Sequence, residues 1–266
     1  MTRLLSGTLL LVAVAAAFWF LQPVHLLVLA EAVALAGFVE YAGLAERMGA
    51  RVSRVAAGAA TAIVCAVVAV PGMPVEVALM GVTLGLAVVT LASGRRGADA
   101  LHDIGASVLA PLYLGLPLGA LVAVCWVAGR EAALVLMLTV ILSDTAQLYT
   151  GRLIGRRLLA PDISPKKTVA GAVGGFVAGT LGMVIVGRWW LAPVDLPWRI
   201  GLGLAVVAVG MAGDLFESLL KRSAGVKDAS ALIPGHGGVL DRIDALLFAA
   251  PVFYIFVRYR LFDLHP

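Results

Sequence analysis

Trp198-Arg-Ile-Gly-Leu-Gly-Leu-Ala-Val-Val-Ala-Val-Gly-Met-Ala-Gly-Asp-Leu-Phe-Glu-Ser-Leu-Leu-Lys-Arg222 sets an apolar run directly against a block of charge. Between Ile200 and Gly213 no residue is charged; Asp214, Glu217, Lys221 and Arg222 then follow within one short stretch. A helix needs roughly 17–25 residues to cross about 30 Å of hydrocarbon, and charge beside lipid is costly. The segment therefore reads as a transmembrane helix whose C-terminal end leaves the bilayer. The charge continues through Lys227, Asp228, Asp241, Arg242 and Asp244, in a chain whose charged fraction is only 14%.

The same reading extends over the whole chain. Its 266 residues are 61% hydrophobic with a mean hydropathy of +1.01, against about 45–50% apolar content in a soluble domain. Apolar runs of spanning length fall near 4–22, 24–44, 55–72, 75–93, 107–128, 131–150, 169–190, 198–220 and 243–260. They predict an all-α, polytopic integral membrane protein with about nine transmembrane helices. The first run reads as a retained helix rather than a signal peptide, given the spans after it. No linker or repeat divides the chain, so residues 1–266 are expected to form a single membrane-embedded domain. Within it, 1–106 supplies N-terminal helices of no evident role and 107–266 the chemistry-bearing half. Cys65 and Cys125 lie in apolar runs and read as small packing residues. Gly171, Gly174, Gly175, Gly179 and Gly182 favour close helix packing in the seventh span; such small-residue helices are also compatible with a homodimer.

Basic residues in the short loops set the orientation. Arg3, the group at Arg47 to Arg54, Arg95 and Arg96, the group at Arg152 to Lys167, and Lys221, Arg222, Lys227 and Arg242 lie on one side, 15 of the 20 Lys and Arg. The N-terminus and the charged stretch are thus expected on the cytosolic face, in a bacterial cytoplasmic (inner) membrane. Trp189, Trp190 and Trp198 read as an aromatic belt at the other interface. The net charge of +4 comes with no nucleic-acid motif, so a nucleic-acid partner is not expected.

Asp214, Glu217, Ser218 and Lys221 recur at i, i+3, i+4 and i+7, which aligns them along one helical stripe. An acid two turns inside an apolar span needs a partner or a metal. Pro234-Gly-His-Gly-Gly238 offers a glycine turn whose N–H groups could converge on phosphate just before a helix start. Asp241 and Asp244, at i and i+3, open that helix. Carboxylates beside a basic, glycine-rich loop suit a hard cation such as Mg2+ holding phosphate oxygens. A second constellation lies in the sixth span, where Ser143-Asp144-Thr145-Ala146-Gln147 interrupts apolar sequence. Ser164-Pro-Lys166-Lys167-Thr168 follows in a basic loop.

These intervals together carry a resemblance. Ser218-Leu-Leu-Lys221-Arg222, Lys227-Asp228, and Pro234-Gly-His236-Gly237-Gly238-Val-Leu-Asp241-Arg242-Ile-Asp244 closely resemble the signature of phosphatidate cytidylyltransferases, also called CDP-diacylglycerol synthases. Asp144-Thr145, Gly151-Arg152, Gly155 and Ser164 to Thr168 look like a second motif region of that family. Where the family commonly follows Lys-Lys-Thr with an aromatic residue, Glu and Gly, this chain has Val169-Ala170-Gly171, so that carboxylate is absent.

The resemblance implies a nucleotidyltransferase that takes CTP and bilayer phosphatidate to CDP-diacylglycerol and pyrophosphate, with Mg2+ as the expected cofactor and a second, monovalent cation left open beside it. Asp214 and Asp241 are expected to hold the metal, with Asp244 as a further ligand and Asp144 as a polar anchor or metal partner. Lys221, Arg222 and Lys227 are expected on phosphates. Ser218, Asp228, His236, Gly237, Gly238 and Arg242 would shape the nucleotide pocket, and Ser164, Lys166 and Lys167 would contact CTP or the lipid phosphate. Two alternatives remain at this point: a CTP-dependent enzyme acting on another lipid phosphate or a polyprenol, and a transporter. The transporter predicts inverted repeats that the sequence does not display.

Overall fold

A computed structural model describes residues 12–230 and 237–261 of the chain. Residues 12–20 (α1) are helical. Then come α2 (Pro23–Arg47), α3 (Arg54–Ala69), α4 (Val75–Ala92), α5 (Ala98–Ala110), a π-helical turn Pro111–Gly115, and α6 (Leu116–Ile154). A short hairpin of β1 (Leu158–Ala160) and β2 (Ser164–Thr168) leads to α7 (Val169–Trp190), α8 (Leu196–Ser223) and α9 (Leu240–Phe256), which ends in a π-helical turn Val257–Leu261.

Five stretches among the described residues are long and apolar enough to cross a membrane: α2, α4, the continuous 57-residue run Ala98–Ile154, α7 and α8. The protein is a polytopic all-α membrane protein. The difference from nine expected spans has local reasons. The first expected span lies partly outside the described residues, α3 has only 16 residues, and α9 has 17 before its π turn. The expected fifth and sixth spans fall in the single run Ala98–Ile154. Gly129 interrupts that run with φ 83° and ψ 166°, a backbone region open only to glycine. The basic loop after α6 is not irregular: β1 and β2 pair antiparallel there, with Leu158 opposite Thr168 and Ala160 opposite Ser164.

The described residues form two compact units. One comprises 21–123, 220–230 and 237–242; the other comprises 12–20, 124–219 and 243–261.

In the first unit, close backbone approach comes from Gly115 and Gly119, where an added Cβ would stand 2.5 Å from the Thr61 and Cys65 carbonyl oxygens of α3. Tyr41 donates its hydroxyl to the Ala106 carbonyl at 2.8 Å. Buried Asp103 accepts from the Arg51 N–H at 2.7 Å and from the Arg95 guanidinium at 3.1 Å. Cys65 and Cys125, one in each unit, are buried and form no disulfide, as packing residues should.

In the second unit, α7 presents two opposite faces. Val173, Val177, Leu181 and Ile185, spaced four apart, are each more than half exposed. The buried face is Gly171, Gly175, Gly179, Gly182, Met183 and Gly187. An added Cβ at Gly175 would lie 2.5 Å from Gln147 Cγ, and one at Gly182 2.5 Å from Leu142 Cδ1. Glycines inside and branched aliphatics outside invert the pattern of a water-soluble helix, as lipid outside requires. Trp189 and Trp198 are exposed, and Arg260 lies 4.2 Å over the Trp198 ring.

Candidate active site

Each unit gathers carboxylates, and the two sets differ in what surrounds them. In the second unit, α6 places Asp144, α8 places Asp214 and Glu217, and α9 places Asp244. Asp244 feels the negative charge of Asp214, Glu217 and Asp144, and Asp144 that of Asp214. Lys167 pairs with Asp214 at 2.5 Å. The hairpin explains why this lysine and not its neighbour does so: successive strand residues point to opposite faces, so Lys167 turns inward while Lys166 is exposed. Thr168 then caps α7 by accepting the Gly171 N–H at 3.0 Å. This cap fixes where the strand becomes helix and therefore where Lys167 sits.

Two carboxylates of this set remain open, while Asp244 is half-buried and Glu217 fully buried. Asp144 is exposed and Asp214 keeps 31% of its side-chain surface accessible. Asp144 accepts from the Gln147 amide at 3.2 Å, and the same amide reaches Ser143 at 3.1 Å. Asp244 accepts the N–H of Ala245 at 2.7 Å.

The first unit holds a closed set. Lys221, at the end of α8, meets Asp241 at 2.5 Å, with side chains only 12% and 11% exposed. The other Asp241 oxygen accepts the Gly238 N–H at 2.8 Å and the Ala229 N–H at 3.3 Å. Burial pushes the Asp241 carboxyl up, but the Lys221 ammonium and these N–H groups outweigh it and hold the group below its ordinary 3.8. Glu40 of α2, 6% exposed, accepts from Ser230 Oγ at 2.6 Å, from the Val239 N–H at 2.9 Å and from the Leu240 N–H at 2.8 Å.

The glycines of the turn owe their identity to these acids. Gly237 has φ 78°, and a Cβ there would stand 2.8 Å from Asp241 Oδ2; at Gly238 it would stand 2.5 Å from Glu40 Oε2. The N–H of Gly238, which the sequence offered to phosphate, is held by Asp241, and those of Val239 and Leu240 beside it by Glu40. Asp241, expected as a metal ligand, already engages a lysine and two backbone donors. Arg222, Lys227, Asp228 and Arg242 are exposed, with Arg222 reaching the Val226 carbonyl at 3.4 Å. Ser218 and Ser164 are partly buried. His236 lies outside the described residues.

Residues 1–260 match the Cytidylyltransferase family. The chain belongs to that family. Among curated proteins, this cytidylyltransferase-family chain is 44% identical over 117 residues to the uncharacterized protein YnbB of Escherichia coli (strain K12), covering 44% of the chain and 39% of YnbB. It is 40% identical over 164 residues to a phosphatidate cytidylyltransferase of Synechocystis sp., covering 58% and 54% of the two chains. With a Haemophilus influenzae phosphatidate cytidylyltransferase it shares 42% identity over 123 residues, 45% and 43% of the two. The matched stretches thus take in 39–54% of these relatives' own length.

No three His, Cys, Asp or Glu side chains among the described residues stand in a metal-binding group. The open set still fits Mg2+ in donor type, since that ion is usually held by one or two carboxylates and completed by water and substrate phosphates. Sequence reasoning missed Glu40. Its signal was present as one of two acids, with Glu31, in the apolar run 24–44, the kind of mark that singled out Asp144.

Proposed function

We propose that this protein is a CTP:phosphatidate cytidylyltransferase, making CDP-diacylglycerol and pyrophosphate for phospholipid synthesis. The observation that carries the reading is the partly open set of Asp144, Asp214 and Asp244 with Lys167 on Asp214, in a chain of the Cytidylyltransferase family. Like-charged carboxylates left accessible inside a membrane protein are costly unless a cation or a cationic ligand joins them.

A phosphate monoester has a second pKa near 6, so phosphatidate brings its own anionic nucleophile. Its oxygen bonds to the α-phosphorus of CTP while the bond to the bridging oxygen breaks, and pyrophosphate leaves with the electron pair. No side chain need act as general base. What the protein must supply is position and charge. Asp214 and Asp244 would hold Mg2+, which when bound neutralises charge on the reacting and departing phosphates, with Asp144 as a polar anchor beside them. Lys221, Arg222 and Lys227 bind phosphate oxygens. Lys167 keeps Asp214 oriented in the free protein and is itself a phosphate partner, with Lys166 and Ser164 on the same hairpin. Asp241 keeps Lys221 in place. CTP enters from the cytosol, and the lipid stays in the inner leaflet of the cytoplasmic membrane.

The test supplies labelled CTP with phosphatidate and competing lipid phosphates, with and without Mg2+, to the purified protein. Labelled CDP-lipid plus pyrophosphate, dependent on phosphatidate and Mg2+, supports the reading. CDP plus a phosphorylated lipid would replace it with a kinase, and transfer to another lipid phosphate alone would move the acceptor. An Asp228→Cys variant should react with a membrane-impermeant thiol reagent from the cytosolic side; labelling only from outside would invert the topology.

A further inference from the structure

We infer that Glu40 is a positioning residue for the CTP phosphates, acting through Asp241 and Lys221. The inference rests on the cytidylyl-transfer reading but on different residues from the open carboxylate set, and it gives the N-terminal helices a part in the chemistry. The first N–H groups of a helix have no partner within it, and a carboxylate there is favoured by the helix dipole. At the start of α9 that carboxylate comes from α2, 199 and 200 residues away along the chain.

Every link from Glu40 to Lys221 lies within one compact unit. Glu40 holds the N–H groups of Val239 and Leu240 and the hydroxyl of Ser230. Asp241 is the next residue, and it ties down Gly238, Ala229 and the Lys221 ammonium. Two acids therefore clamp the same two flanks, 229–230 and 238–240, and only one of them touches the lysine. Glu40 at 6% exposed is itself closed to solvent, so its effect on a nucleotide must pass through the groups it holds. Removing it frees the helix start, lets Asp241 move and unfixes the Lys221 ammonium. Lys221 is compact and flexible on a four-carbon stem, so its aim depends on that anchor.

The experiment measures steady-state kinetics and amide exchange on the full-length chain in phospholipid micelles. Glu40→Ala is expected to raise the KM for CTP by about tenfold or more, the size of one lost charge-assisted hydrogen bond, with kcat and the KM for phosphatidate little changed. Ser230→Ala should shift the CTP KM in the same direction by less, and Glu40→Gln, which keeps one acceptor oxygen, should fall between. If Glu40→Ala does not accumulate, the other two variants decide by the same criterion. Without substrates, the Val239 and Leu240 amides should exchange at least about tenfold faster in Glu40→Gln. An unchanged CTP KM in these variants, or a fall in kcat with both KM values intact, overturns the proposal, as does unchanged exchange at 239 and 240. A wild-type chain inactive on CTP would instead sink the cytidylyl-transfer reading, while the exchange data would still decide whether Glu40 holds the helix start.

Discussion

Asp214 and Asp241 are both acids at the edge of an apolar helix, yet their surroundings are opposite. Asp241 is 11% exposed and takes three donors; Asp214 is 31% exposed and takes a lysine. Glu40 repeats the closed pattern with three donors of its own, and Asp144 repeats the open one. A carboxylate saturated by protein donors has done its bonding in the free protein and acts as a brace. A carboxylate left open among like charges has capacity for a cation or a substrate. Asp241 and Glu40 lie in one compact unit, Asp214 and Asp144 in the other.

The largest effect should come from the open set. Asp214→Asn removes a charge but keeps shape, and it should lower turnover by about a thousandfold or more while leaving thermal unfolding nearly unchanged, since electrostatic terms dominate such chemistry. Wild-type turnover in that variant would erase the distinction between open and closed acids.

Next in size is the closed pair. Lys221→Met leaves Asp241 buried without its counter-charge and should cost about 3–5 kcal/mol of stability, read by denaturant unfolding in detergent. The matching Lys167→Met should cost far less, because Asp214 can reach solvent. Equal losses from the two lysines would show that both sets are structural.

The pH dependence sharpens the same contrast. The folded Asp241 carboxyl lies below its ordinary 3.8, so its contribution to stability is fully present above that value and fades as pH falls through the lower folded value. Wild type should therefore keep this contribution from neutral pH down to about 4 and lose it below. In Lys221→Met the buried carboxyl has no ammonium to offset its burial, so it takes up a proton at higher pH than in wild type. The gap between the two should then begin to close above about pH 4; a gap that stays constant down to about pH 3 would assign it to another group.

The smallest effect probes the frame that carries the open set. Gly175→Ala puts a Cβ 2.5 Å from Gln147 Cγ, a flexible side chain that also reaches Asp144. It should cost about 1–3 kcal/mol by overpacking and lower activity modestly through displaced Gln147. Gly81→Ala, with open space around its Cβ, is the control and should do neither.

Much of this was legible in the chain. The membrane class follows from apolar runs, because a bilayer imposes a length on any helix that crosses it. The glycine face of α7 follows from spacing. Asp144 and Asp214 stood out because an acid in an apolar run has no cheap local explanation, and Asp244 because it opens a helix with Asp241 beside the glycine turn. The basic stretch at 164–168 was visible as charge, though not as a strand: the hairpin depends on Leu158 finding Thr168, and the alternation that separates Lys167 from Lys166 depends on the hairpin.

What the sequence determined by itself is the set of residues with chemistry to offer and the medium they sit in, since composition and periodicity act locally. Which acid is open and which is closed was decided only by tertiary structure. Gly237-Gly238 reads as a phosphate cradle until Glu40, some two hundred residues away, is found occupying the same helix start. A hydrogen bond between distant residues leaves no trace in local spacing, and a carboxylate's free valence is whatever the folded neighbours leave over.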